Sequence, residues 1–438
     1  MQQSKFLSVA GLIATMCLLG CDGNLVKSEE ETSMSEPVSV KRVRIVCVGD
    51  SITDGNTYPL ILMQALADAG KPVPAAVCAG VASDTSVLMA ERFDPFLDMQ
   101  PDLVTFSAGT NDAFRNITPE MYEKALREIA DKCKARGIEM ILMTPCAINV
   151  GDTNKPNEKA EATGEEFAKI LRAVAKENGW AVAEVSELQK AARDKGETIM
   201  SPDGIHPDYH GQSLMARAIL DAMGHKNVPV PTAKEFNPQR LPGVIETWYV
   251  QAAPKDDKDK PRPMTDEELA EQTTVLNKVI SSDLGHEPFG IKHHWTRRTL
   301  PEAQKADKDG KFVDAGDWRE QLRRNGFAIN INDLVAGVPR YWGTVVQSPA
   351  EAKAFVNTAI SVRHVWLNGE LVFTHPMNGG EEKWTGYHAG KERVPVTLQQ
   401  GNNILVVEHY ANEFFLSVTD KLVWEDDYAA ALEKAAKK

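Results

Sequence analysis

Between residues 43 and 223, short apolar, β-branched runs alternate with segments patterned as amphipathic helices, and this alternation restricts the fold more than any other feature of the chain. Runs at 43–48, 74–78, 102–107, 139–144 and 180–185 read as five strands. Between and after them, 59–69, 118–136, 161–178 and 211–223 carry helical spacing. Gly70 and Gly137 stand where two of these helices should stop, and Thr118-Pro119 where one should start. Strict strand–helix alternation demands right-handed crossovers and a parallel sheet covered on both faces, so the expectation is a three-layer α/β domain over 42–228.

Three of the strands end in polar, glycine-containing turns: Gly49-Asp50-Ser51-Ile52, Ala79-Gly80, and Gly109-Thr110-Asn111-Asp112. A flavodoxin-like strand order, 2-1-3-4-5, would set those turns side by side at one sheet edge. Ser51 there is a candidate nucleophile. The Ser51 N–H, a Gly80 amide and the Asn111 side chain are candidate donors for the oxyanion of an acyl-transfer intermediate. Serine needs a base within hydrogen-bond reach, and His206 supplies one from the loop beyond the fifth strand. Asp203, three residues earlier, can hold the far ring nitrogen, and Pro207 favours an extended loop. Taken singly, these residues read as a helix-capping serine, a turn asparagine and a surface histidine; their joint order argues for chemistry.

Gly49-Asp50-Ser51-Ile52, Gly80, Gly109-Thr110-Asn111-Asp112 and Asp203-Gly204-Ile205-His206-Pro207 resemble the four sequence blocks of the SGNH hydrolases, or GDSL esterases and lipases, in the family's order. The resemblance spans about residues 43–223. It implies Ser51 as nucleophile, Asp203 and His206 as the other triad members, and Gly80 and Asn111 as oxyanion donors. It also implies ester hydrolysis through an acyl-enzyme, with no metal or organic cofactor. Cys78 and Ser83 depart from the pattern, standing where Asn and a second Gly are common. Asp112 reads as structural support and His210 as a helix-start residue.

Lys5 and the apolar run 6–19, ending in Leu18-Leu19-Gly20-Cys21, resemble a bacterial lipoprotein signal over 1–21, which makes Cys21 the lipidation site and the protein an exported one with a membrane anchor. Residues 22–41 read as a flexible tether. Cys47, Cys78, Cys133 and Cys146 lie in apolar segments without metal spacing and read as buried thiols, with a Cys47–Cys78 bridge as the alternative. A formal net charge of -13 argues against nucleic acid as a partner.

At 438 residues the chain has room for a second domain. Residues 229–243 form a proline-rich connector, and seven of the 8 tryptophans follow it. Strand-like runs at 245–249, 358–362, 364–373 and 403–408, with an Asn368-Gly369 hairpin turn, predict an antiparallel β-sandwich over 244–426. Its hairpin and the strand following Gly401 resemble galactose-binding-like jelly rolls. A helix is expected within 265–282 and another over 427–438. Most of the tryptophans read as core, and His286, His293 and His294 lack the partners of a metal site. The expected function is an exported esterase removing O-acetyl groups from carbohydrate. Rival expectations are a lipid-directed esterase, such as a lysophospholipase or thioesterase, and a catalytically silent glycan-binding protein.

Overall fold

In the computed structural model the parallel sheet has the order β2-β1-β3-β4-β5. The structure describes residues 42–281, 295–299, 321–322, 324–327, 329–330, 338–358, 362–375, 392–410 and 413–437. The strands are β1 (Arg44–Gly49), β2 (Ala75–Gly80), β3 (Leu103–Ser107), β4 (Glu139–Met143) and β5 (Ala181–Ala183). Ile45 and Cys47 of β1 face a core built with α2 (Thr57–Asp68) and α9 (Tyr209–Ala222). Val46 and Val48 face the opposite core, built with α3 (Ser86–Glu91), α6 (Pro119–Ala135) and α7 (Glu158–Asn178). Burial on both faces is why these strands read as unbroken apolar runs.

Two short helices follow strand ends where turns were expected, α1 (Ser51–Asp54) and α5 (Thr110–Phe114), and a third, α4 (Asp94–Leu97), lies between α3 and β3. The fifth strand is also shorter than its apolar run, because Val185 opens α8 (Val185–Asp194). Cys47, Cys78, Cys133 and Cys146 are buried and form no disulfide, and Cys47 and Cys78 stand opposite each other in register without a bridge. The Cys78 thiol donates to the Thr53 carbonyl, 3.1 Å away.

The second region is two packed antiparallel sheets. One joins β6 (Thr247–Ala252), β7 (Thr296–Thr299), β9 (Arg340–Ser348), β11 (Val362–Leu367), β12 (Glu370–Thr374) and β14 (Gly401–His409), in the order β12-β11-β14-β9-β6-β7. The other joins β10 (Ala352–Thr358), β13 (Glu392–Leu398) and β16 (Leu416–Thr419), in the order β13-β10-β16. Trp248, Trp342, Val365 and Leu405 from the larger sheet meet Val356, Val394 and Leu416 from the smaller in one core, which makes the pair a β-sandwich. A ribbon of β8 (Ile329–Asn330) and β15 (Glu413–Phe414) stands apart. Asn368 (φ 54°) and Gly369 (φ 86°) turn β11 into β12, as the hairpin signal required. The expected single strand over 358–362 is instead the end of β10 and the start of β11, with 359–361 outside the described residues. Helix α10 (Asp266–Ser281) covers the outer face of the large sheet through Leu269 and Leu276. Trp248, Trp342, Trp424 and Trp295 are buried, as core tryptophans should be.

The last helix, α11 (Glu425–Ala435), leaves the sandwich and packs on α2 and β2. Trp424, Tyr428 and Leu432 join Phe327 and Phe415 in the same core as α2. Arg44 pairs with Asp426 and Arg42 with Glu433, both at 2.8 Å. The expected signal, tether and Cys21, together with His286, His293 and His294, fall outside the described residues. Among the described residues no helix is long and apolar enough to cross a membrane.

Candidate active site

Asp50 sits at the end of β1 as the N-cap of α1, its Oδ1 accepting from the Ile52 N–H at 2.9 Å. The cap makes Ser51 the first residue of the helix, half-buried above the sheet edge. Gly49 is needed there: a Cβ would lie 2.0 Å from Thr53 Oγ1. Ser51 Oγ is 2.8 Å from His206 Nε2, and His206 Nδ1 is 2.7 Å from Asp203 Oδ2. The other Asp203 oxygen accepts from the N–H groups of Ile205 (2.8 Å) and His206 (2.9 Å). Partial burial works against the Asp203 charge, but those two backbone donors and the imidazole outweigh it and hold the carboxyl below its ordinary range.

The loop bearing Asp203 and His206 is braced from outside the sheet edge. Gly204 adopts φ 74°, and a Cβ there would meet the Gly151 carbonyl at 2.5 Å. Its own carbonyl accepts from the Asn149 N–H at 2.8 Å. Asn149 is in turn held by Arg193, whose Nη1 donates to Oδ1 at 3.0 Å. Arg193 forms a largely buried ion pair with Glu161, and Glu161 also accepts from the Ile148 N–H at 3.1 Å. None of these bracing residues carries a motif that sequence inspection could single out.

Asn111 sits on α5 with its side-chain nitrogen 3.0 Å from the Asp84 carbonyl and 3.4 Å from Asp50 Oδ2. Asp112 beside it is structural support, as expected. Its carboxylate accepts from the N–H groups of Ser86 (3.0 Å) and Gly109 (3.1 Å), tying α3 to α5. Asp84 pairs with Arg92, which also donates to the Gly49 carbonyl at 3.0 Å. His210 is the second residue of α9 and bonds Glu197 at 2.8 Å.

Gly80 differs from the expectation. It is buried at the end of β2, opposite Gly49, and a Cβ would lie 2.1 Å from Asp54 N and 2.6 Å from Thr53 C. The side chain it lacks would collide with α1, so packing of α1 on β2 accounts for the glycine. Three residues on, Ser83 is exposed, holds a left-handed φ of 68°, and directly precedes the Asp84 carbonyl that fixes Asn111. A positive φ is a state that glycine favours, and Ser83 stands where a second Gly is common in the family pattern.

A parallel three-layer sheet with a serine, a histidine and an aspartate hydrogen-bonded in series at its carboxyl edge defines the class, a hydrolase domain of α/β type. Residues 47–214 match the GDSL-like Lipase/Acylhydrolase family, so this region is an esterase or acylhydrolase domain of the GDSL type. Over 175 residues the chain is 28% identical to Esterase TesA of Pseudomonas aeruginosa, an alignment taking in 38% of this chain and 81% of that protein. Among solved structures it is similar to LAE5, an alpha/beta hydrolase from the metagenome of Lake Arreo, Spain (TM-score 0.39, 24% identity, 42% of this chain and 96% of that one). It is also similar to Axe2, an acetylxylan esterase from Geobacillus stearothermophilus (TM-score 0.37, 21% identity, 42% and 94%).

Proposed function

We propose that Ser51, His206 and Asp203 are the catalytic triad of an exported esterase that removes O-acetyl groups from carbohydrate. The observation carrying the catalytic part is the unbroken relay from Ser51 Oγ to His206 (2.8 Å) and from His206 to Asp203 (2.7 Å). His206 takes the Ser51 proton as Oγ attacks the ester carbonyl, then returns it to the leaving alcohol; water repeats the sequence on the acyl-enzyme. Asp203, kept charged by its two backbone donors, fixes the imidazole tautomer and stabilises the imidazolium. The oxyanion is assigned to the Ser51 N–H and the Asn111 amide, with the N–H of Ser83, the residue before the Asp84 carbonyl that holds Asn111 at 3.0 Å, as the third donor in place of Gly80.

The choice of substrate rests on openness. The His206 and Asp203 side chains are 45% and 48% exposed, so a short acyl group on a bulky hydrophilic chain can reach Ser51 without entering a tunnel. The attached β-sandwich and the lipoprotein-like leader favour an extracytoplasmic glycan substrate, and Cys21 is the proposed anchor to the membrane. Acetate release from a panel of acetylated polysaccharides, compared between wild type and Ser51→Ala, tests the activity. Cleavage of long-chain p-nitrophenyl esters much faster than of the acetate would replace it with the lipid-directed reading. Loss of palmitate labelling in Cys21→Ala tests the anchor.

A further inference from the structure

The Asn111 side-chain nitrogen has two hydrogens, and the free enzyme engages both. One goes to the Asp84 carbonyl at 3.0 Å; the other points along a longer contact, 3.4 Å, to Asp50 Oδ2. The first bond orients the amide, so the second hydrogen is the one available to an oxyanion. Its competitor is a carboxyl only 2% exposed.

Three carboxyls surround Asn111, and they are provided for unequally. Asp84 has Arg92 as a counter-ion. Asp112 has the Ser86 and Gly109 N–H groups and the Ser86 hydroxyl. Asp50 has one good donor, the Ile52 N–H, and the long contact from Asn111. The charged or titratable groups facing it are Asp112 on α5, Asp84 in the turn after β2, Cys146 beyond β4, and His206. Of these four groups only His206 can carry a positive charge, and the nearby Arg92, which donates to the Gly49 carbonyl at 3.0 Å, is paired with Asp84.

We propose that Asp50 is a positioning residue for the oxyanion donor: as the acid it leaves the second Asn111 hydrogen to the substrate, and as the carboxylate it holds that hydrogen and sets negative charge beside the developing oxyanion. This inference rests on the esterase reading above. Burial first, then the nearby Asp112 and Asp84, outweigh the Ile52 N–H and His206 and push the Asp50 carboxyl up to about 7, so both forms occur in the working range of an esterase. The turn that presents the nucleophile therefore also sets the alkaline limit of the reaction.

The test is kcat/KM for p-nitrophenyl acetate, and the rate of Ser51 phosphonylation by a p-nitrophenyl alkylphosphonate, across the pH range on either side of neutrality, for wild type, Asp50→Asn and Asp50→Ala. In the wild type both rates fall about tenfold per pH unit on the alkaline side, down to a floor about 10²-fold lower, the effect of one lost oxyanion donor. Asp50→Asn, which keeps the oxygen facing Ile52 and cannot ionise, loses the alkaline fall. Asp50→Ala, which also cannot ionise but loses that oxygen, likewise lacks the alkaline fall and is slower than Asp50→Asn at every pH. The wild-type alkaline midpoint stays nearly constant with temperature, as carboxyl ionisation does and imidazole or amine ionisation does not. An alkaline plateau in the wild type, a strongly temperature-dependent midpoint, or an unchanged fall in Asp50→Asn overturns the proposal while leaving the esterase reading intact. Failure of both reagents to react at Ser51 overturns the esterase reading, and this inference with it.

Discussion

The Asn149 N–H donates to the Gly204 carbonyl at 2.8 Å, so the loop presenting Asp203 and His206 leans on the loop that follows β4. The relationship extends inward, because Asn149 is held by Arg193, and Arg193 by Glu161. The proposed catalytic histidine, on an otherwise exposed turn, thus takes its position from a largely buried ion pair between α7 and α8.

Removing one member of that pair leaves the other buried without a counter-charge. Arg193→Ala is expected to lower unfolding free energy by about 3 kcal/mol in urea titration. It should also lower kcat about tenfold with little change in KM, because Asn149 no longer fixes the triad loop. Full stability in Arg193→Ala would show that Glu161 does not need this counter-charge.

Asp50 makes a second prediction, for stability rather than rate. Its carboxyl is raised from 3.8 to about 7 in the folded state, so between those values the native protein binds a proton that the unfolded chain has released. Its contribution to stability is present in full below the unfolded value and is lost as pH rises through the folded one. Asp50→Asn should therefore raise Tm at pH 8 by several degrees, and raise it less at pH 5. An equal shift at both pH values, read by scanning fluorimetry, would contradict the sign.

Gly80 and Ser83 predict opposite outcomes. Gly80→Ala drives a Cβ to 2.1 Å from the Asp54 backbone nitrogen and should cost about 3 kcal/mol, because neither α1 nor β2 can give way. Ser83→Gly relieves a left-handed φ of 68° and should stabilise by about 0.5–1 kcal/mol while keeping the N–H and the activity. Chemical denaturation of the two variants, with p-nitrophenyl acetate turnover on Ser83→Gly, checks both.

These residues also show where sequence reading reached its limit. The parallel strands were legible because their interiors are buried on both faces, as Ile45 and Cys47 are on one face of β1 and Val46 and Val48 on the other, so most of each run is apolar. Ser51, Asn111, Asp203 and His206 were legible as types in order, and the structure brings them to one edge. Gly80 was not, because a glycine is written the same way whether a substrate or a helix takes up its missing Cβ. Strand β9 was missed because its face toward α10 has Gly343 under Leu276, a pairing set by a helix about seventy residues away rather than by any local period. The last helix was legible as a helix but not as a partner of α2, since the contacts that place it span most of the chain.

That helix supplies the last prediction. Arg393 of β13 and Glu425 at the start of α11 form an ion pair at 2.6 Å with both side chains 2% exposed, and Arg393 also donates to the Leu422 carbonyl. The pair joins the sandwich to a helix whose Trp424, Tyr428 and Leu432 lie in the core shared with α2. Truncation before residue 425 removes Tyr428 and Leu432 from that core and opens Phe327 and Phe415 to water. It should destabilise the hydrolase domain by more than the sandwich alone would suggest, with esterase activity and near-ultraviolet dichroism lost at the same temperature. Arg393→Met, which strands Glu425 in the interior, should cost about 3–5 kcal/mol, and the double substitution Arg393→Met with Glu425→Leu should recover most of it. Unfolding of the two regions in separate transitions in the wild type would show that α11 does not couple them.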